Sequence, residues 1–244
     1  MSPARLLTID RGNSTLDVQW HGEPPQRVRF SASGASVARE FAEFVGGWRP
    51  SRCLGATVVP SGLDAAASAL AERGLRLEVA GADLPCPLDI DYDPRGSLGA
   101  DRWLGALAAH RMFGAAVVVD CGTATTVNLV TASGRFLGGA IAPGLSAMRK
   151  GMALVTPLLP APDEDLAVKM PARRSRDGVT TGLLLAFCGA VDRLFESALR
   201  RMEAPCVAVV TGGAAAVYLR HGSVGARHVD DLVHRGLAIL AEGS

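Results

Sequence analysis

Asp10 and Asp120 each close an apolar run, and each is followed by a glycine, small polar residues and a second run that alternates or turns apolar. In the first copy Leu6-Leu7-Thr8-Ile9 leads into Asp10-Arg11-Gly12-Asn13-Ser14-Thr15. In the second, Ala115-Ala116-Val117-Val118-Val119 leads into Asp120-Cys121-Gly122-Thr123-Ala124-Thr125-Thr126. A chain that runs twice through strand, acid, glycine turn and returning strand, with helical patterns after each, is constrained to an α/β fold made by duplicating one unit.

The remaining periodicity fits that plan. Strands are predicted at 6–9, 15–20 and 26–30, a helix at 35–48, a strand at 54–59 stopped by Pro60, and a helix at 63–73. A loop rich in Pro, Asp and Gly covers 84–99 and leads into a helix over 101–113. The pattern then restarts with strands at 115–119, 125–130 and 135–137, a helix at 143–154, and a polar connection at 157–176. The longest helix is expected over 179–202. It is apolar over much of its circumference, which predicts burial on more than one side. A strand at 207–210 and helices at 214–219 and 231–241 follow. The expected division is a lobe of residues 1–113 and a lobe of residues 114–244, with a cleft between the copies.

A turn of small residues exposes backbone N–H groups to phosphate oxygens, and the hydroxyls of Ser14, Thr15, Thr123 and Thr125 add donors. An acid at each strand end can hold a cation that offsets phosphate charge. Taken singly, each turn is also an ordinary hairpin turn, for which Asp, Asn and Gly are the usual residues. No GxxxxGK[ST] run is present, and the lysines are Lys150 and Lys169 alone, so phosphate neutralisation must lean on amides, arginines and bound cations. Gly99-Ala100-Asp101-Arg102 sets a carboxylate beside a guanidinium at a helix start. Asp101 can accept the proton of an attacking hydroxyl and Arg102 can grip an anionic substrate; Asp is equally a favoured helix cap.

With 24 acids against 25 lysines and arginines, the chain has no broad basic surface for nucleic acid. Five scattered cysteines, with no CxxC pair, fit neither a disulfide framework nor a zinc site and point to a cytoplasmic protein. The N-terminal residues lack the apolar core of a signal peptide, and Gly and charges interrupt every candidate membrane span, so no membrane partner is expected.

These runs resemble the type III pantothenate kinase family, a branch of the acetate kinase–sugar kinase–Hsp70–actin superfamily. The likeness extends over Asp10-Arg11-Gly12-Asn13-Ser14, Val58-Val59-Pro60, Tyr92-Asp93-Pro94, Gly99-Ala100-Asp101-Arg102-Trp103, the Asp120 run, Gly138-Gly139 through Pro143-Gly144, and Thr211-Gly212-Gly213. The resemblance implies duplicated ribonuclease H-like (actin-like ATPase) domains with mixed sheets and an interdomain nucleotide cleft. It implies ATP-dependent phosphorylation of pantothenate to 4′-phosphopantothenate, the first step of coenzyme A biosynthesis. By the same resemblance Asp101 is the proton acceptor, and Tyr92, Gly99, Ala100, Asp101 and Arg102 hold pantothenate. Asp10, Arg11, Gly12, Asn13, Ser14, Thr15, Leu16, Asp17 and Thr123 take the nucleotide, with Mg2+ accompanying ATP. Asp120 binds a monovalent cation, K+ or NH4+. The family is a homodimer in which a threonine reaches the partner's substrate site; here Ala172-Arg173-Arg174-Ser175 stands in place of Gly-x-Asn-Thr, so Ser175 takes that position. Arg11 is bulkier than the small apolar residue often found there. Members carrying a tryptophan like Trp103 are also described as accessory factors in gene regulation, which gives the alternative of a non-catalytic regulatory protein on the kinase fold. Retention of Asp10, Asp101, Arg102 and Asp120 favours catalysis.

Overall fold

The computed structural model describes residues 5–31, 37–203 and 205–243. The chain divides into two compact units, one running to Ala108 and taken up again from Leu232, the other spanning Ala109–Asp231. The division drawn from sequence put the terminal helix in the second lobe; it belongs to the first unit.

The first unit opens with β1 (Leu6–Arg11), β2 (Thr15–Trp20) and β3 (Gln26–Ser31), an antiparallel meander. Helix α1 (Val37–Gly46), β4 (Arg52–Thr57), α2 (Asp64–Ala71) and β5 (Leu77–Val79) follow. β4 and β5 lie parallel to β1, so the sheet order is β3-β2-β1-β4-β5. The start expected for α1 at residue 35 and the N-terminal residues read as lacking a leader lie outside the described residues. The strand expected over 54–59 begins and ends two residues earlier, because Val58 and Val59 belong to the turn that Thr57 organises: its hydroxyl donates to Val59 O at 2.9 Å and accepts from Val59 N at 3.0 Å.

Pleating sends alternate residues to opposite faces. Leu7, Ile9, Leu16, Val18 and Trp20 point to one face and pack with Phe41 and Val45 of α1, Ala66 and Leu70 of α2, and Leu63 just ahead of α2. Each large apolar side chain buried there stabilises the unit by roughly 2 kcal/mol. The other face carries Thr8, Asp10 and Asp17, and helix α7 (Leu232–Glu242) packs on it over β1 and β4. A short strand β6 (Asp89–Ile90) interrupts the loop before α3 (Ala100–Phe113), whose first turn bears Asp101 and whose last turn bears His110 and Arg111, in the sense the helix dipole favours.

The second unit repeats the plan. β7 (Ala116–Cys121), β8 (Ala124–Val130) and β9 (Arg135–Pro143) form the antiparallel meander, with α4 (Leu145–Val155) and α5 (Ser175–Leu199) next. β10 (Val207–Thr211), α6 (Ala215–His221) and β11 (Arg227–His228) complete it. β10 is parallel to β7 and to β11, giving the run β11-β10-β7-β8-β9. This is the strand order of the first unit over again, so the duplication expected from the two acid–glycine turns is present in the backbone. α5 is long and apolar enough to cross a membrane by length and composition. Its buried residues, among them Leu184, Phe187, Val191 and Phe195, lie on one broad face in the unit's core, while Gly182, Leu185, Ala186 and Gly189 are exposed. Burial on more than one side, expected from its composition, is therefore not met within this chain.

Candidate active site

α3 begins at a turn where the lack of a side chain leaves room for the Asp101 carboxylate. A Cβ on Gly99 would strike Asp101 Oδ1 and come within 3.4 Å of Val58 Cγ1, so the glycine lets the β4–α2 turn and the carboxylate close on one another. Asp101 Oδ1 accepts from the N–H of Arg102 at 2.8 Å. Burial pushes the Asp101 carboxyl above its ordinary value, against the lowering effect of that N–H and of the Arg102 charge. A carboxylate displaced in that direction is a better proton acceptor near neutral pH. Arg102 is buried, lies over the Tyr92 ring at 5.4 Å and donates to Tyr92 Oη at 3.2 Å. Tyr92, Gly99, Asp101 and Arg102 are thus brought together as expected, with Ala100 buried beneath them. Trp103 is buried in the same turn of helix.

The β1–β2 turn presents Asn13 and Ser14 to solvent, with Gly12 and Thr15 half-buried. The nearest atom to a Cβ on Gly12 would be Thr15 Oγ1 at 3.8 Å, so the turn is open. Arg11 crosses to the α2 side: its guanidinium donates to Gly12 O, and its Cγ would lie 2.9 Å from a Cβ on Gly62. Leu16 lies in the apolar core. Asp17 is 3% exposed and faces the opposite way. Its oxygens take Nε and Nη2 of both Arg27 and Arg29 at 2.6–2.9 Å, and His234 Nε2 lies 3.4 Å away. Burial alone would raise the Asp17 carboxyl; His234, Arg27 and Arg29 outweigh it and hold the group far below the usual carboxylate range. Thr8 Oγ1 links His234 Nδ1 at 2.7 Å and His21 Nε2 at 2.8 Å. Asp17 sits in an ion cluster that was not anticipated, and its carboxylate is spent on arginines of this chain. The alternation of Arg27 and Arg29 along β3 opposite Asp17 was a visible signal; His234, more than two hundred positions from Thr8, was not.

In the second unit the Asp120 turn is crowded. Gly212, with φ of +92°, passes so near that a Cβ would strike Asp120 Oδ1 and the Cys121 backbone. Gly144, ahead of α4, lies against the carbonyls of Gly122 and Thr123, and its N–H donates to Thr123 O at 3.1 Å. Thr123 is exposed, whereas Thr125 is buried and pairs with Cys121, so its hydroxyl does not line the turn. Asp120 and the surrounding carbonyls are hard oxygen donors, a set that suits K+, NH4+ or Mg2+. Among the described residues no three His, Cys, Asp or Glu converge as an all-protein metal cage.

Ser175 is exposed at the start of α5. The connection ahead of it is pinned to the helix. Asp163 N donates to Thr180 Oγ1 at 2.8 Å, Lys169 N to Thr181 Oγ1 at 2.9 Å, and Lys169 Nζ meets Asp177 at 2.7 Å. All five cysteines are free thiols.

The family model for type III pantothenate kinase matches residues 6–197. The chain belongs to that family. A type III pantothenate kinase of Aromatoleum aromaticum is 35% identical over 97% of this chain and 97% of its own. Another, from an Azoarcus strain, is 40% identical over 151 residues, a stretch that is 62% of this chain and little more than half, 56%, of that relative. In fold the chain is similar to a conserved Baf family protein from Campylobacter jejuni named for transcriptional activation (TM-score 0.64, 19% identity, 97% of this chain and 98% of that one). It is also similar to an archaeal actin homolog (TM-score 0.53, 14% identity, 98% and 99%). The type III pantothenate kinase assignment thus sits on an actin-like ATPase fold, as the motifs implied.

Proposed function

We propose that this family member transfers the γ-phosphoryl group of ATP to the terminal hydroxyl of pantothenate, as the first step of coenzyme A synthesis. The observation that carries this reading is the Asp101–Arg102–Tyr92 group: a half-buried carboxylate whose proton affinity desolvation raises, beside a fixed guanidinium, on the same unit as an open phosphate-type turn. Asp101 takes the hydroxyl proton as the pantothenate oxygen bonds to the γ-phosphorus and the bond to the ADP oxygen breaks. Arg102, set by Tyr92, holds the pantothenate carboxylate. The N–H groups of the Asp10 turn and Thr123 bind phosphate oxygens. Asp10 holds Mg2+ that arrives with ATP, and Asp120 holds K+ or NH4+; both cations offset phosphate charge. The regulatory alternative draws no support from these residues.

A second copy of the chain completes the assembly. The second unit exposes Ile141, Leu154, Leu158, Met170 and Leu185, with Leu158 98% exposed, and a Cβ at Gly182 or Gly189 would meet nothing. Large apolar side chains left exposed in this number suit burial against a second copy. Ser175, the first residue of α5, supplies a hydroxyl to the partner's pantothenate. The five free thiols suit a reducing cytoplasm.

A coupled ADP-release assay with pantothenate, with and without potassium or ammonium, tests the reading. It expects pantothenate-dependent ADP release that rises with the cation. ATP binding without turnover under any cation would overturn it.

A further inference from the structure

Asp17 takes two arginines where one would satisfy it. Arg27 and Arg29 each spend the Nε–Nη2 edge on this carboxylate, so two guanidiniums meet on one acid. The carboxylate is almost fully covered, but the arginine side chains are 32% and 50% exposed, and Arg29 Nη1 makes no hydrogen bond among the described residues. Their position is fixed by register: Asp10 pairs with Asp17, and Asp17 with Arg29. These three residues form one row across β1, β2 and β3 on the same face, so the Arg29 backbone lies about 10 Å from that of Asp10, two strand spacings along the sheet. α7 covers β1 and β4 of that face. The chain's lysines, Lys150 and Lys169, are both in the second unit.

We propose that Arg29, with Arg27 beside it, is a binding site for the polyphosphate of the nucleotide at the Asp10 turn, and that Asp17 is a positioning residue that presents both guanidiniums. The inference rests on the kinase reading for its ligand and adds two guanidiniums to the one that Arg11 brings to the turn. Locking one edge of each guanidinium on a buried acid removes most of its rotamer freedom before the ligand arrives, which lowers the entropic cost of binding. An edge-strand pair kept only for solubility would have no reason to be clamped in this way.

ATP binding measured by calorimetry without pantothenate, in wild type and in Arg29→Gln, Arg27→Gln and Arg29→Lys, tests the site. Arg29→Gln should weaken ATP by about tenfold, the loss of a charge-assisted contact. It should raise KM for ATP by a similar factor, leave kcat and the KM for pantothenate within twofold, and flatten the salt dependence of ATP affinity. Arg29→Lys should recover most of the affinity at low salt. Unchanged ATP affinity in folded Arg29→Gln overturns the proposal, as does an equal loss for ATP and pantothenate. Absence of turnover in a wild type that binds ATP would overturn the kinase reading while leaving the arginine effect on ATP binding to be read as it stands.

Discussion

The two units share a strand order and differ in what they place around it. In the first, the acid–glycine turn is open, and the sheet carries a charged cluster in which Asp17 and His234 are buried while Arg27 and Arg29 reach the surface. In the second, the turn is packed tightly against Gly144 and Gly212, and the residue level with Asp17 is Thr126, which accepts from Asn128 Nδ2 at 3.2 Å. The helices after each sheet also correspond in order. α3, after β5, opens with Asp101 and Arg102; α7, after β11, opens with Leu232 and brings His234 to the first unit. Duplication preserved the scaffold because backbone pairing and alternating burial impose it. The chemistry diverged at the strand ends and helix starts, where neither constraint acts.

Several substitutions break or sharpen this contrast. The largest effect is expected at Asp101→Asn, which has no counterpart in the second unit: kcat should fall by about 10²–10⁴, with the melting temperature little changed. Wild-type turnover in that variant would remove the assigned base.

The turns should respond unequally. Gly212→Ala forces a Cβ onto Asp120 and a positive φ on alanine, and is expected to destabilise by about 2–4 kcal/mol in denaturant titrations. Gly12→Ala makes only an ordinary contact with Thr15 and should cost under about 1 kcal/mol. Equal costs would mean that the two turns are packed alike.

Asp17→Asn leaves two guanidiniums short of a counter-ion and should cost about 2–3 kcal/mol. Because the Asp17 carboxyl is held below its unfolded value, its contribution is fully present above about pH 4 and is lost as pH falls further. The variant should therefore show a weaker acid-side loss of stability; an unchanged acid limb would show that the cluster is not responsible for it. Asp101 shifts the other way, so the acidic limb of the kcat/KM profile should lie above the ordinary carboxylate range and vanish in Asp101→Asn.

The smallest effect is expected at Tyr92→Phe, which removes one hydrogen bond to Arg102. The KM for pantothenate should rise by about two- to tenfold with kcat nearly unchanged.

Much of this was legible in the residues. The first meander, α3 and the β7–β8 hairpin follow from alternation and turn chemistry that are local. β5 and β11 escaped because two or three residues are too few to show a period, and they exist by pairing with a parallel neighbour. β9 was read as 135–137 but continues to Pro143: the run after Leu137 contains two glycines, yet its backbone stays paired with β8. At the site, the Tyr92–Arg102 contact followed from motif, while the role of Asp17 depended on register and on a histidine from the far end of the chain.

The return of α7 to the first unit has a consequence for biosynthesis. The second unit is a single continuous stretch and can close while the ribosome is still at work. A nascent chain halted before Leu232 already holds every strand of both sheets, yet the face carrying Thr8 and Asp17 stays uncovered. The half that bears Asp101 is therefore completed only after the whole of the second unit has been made.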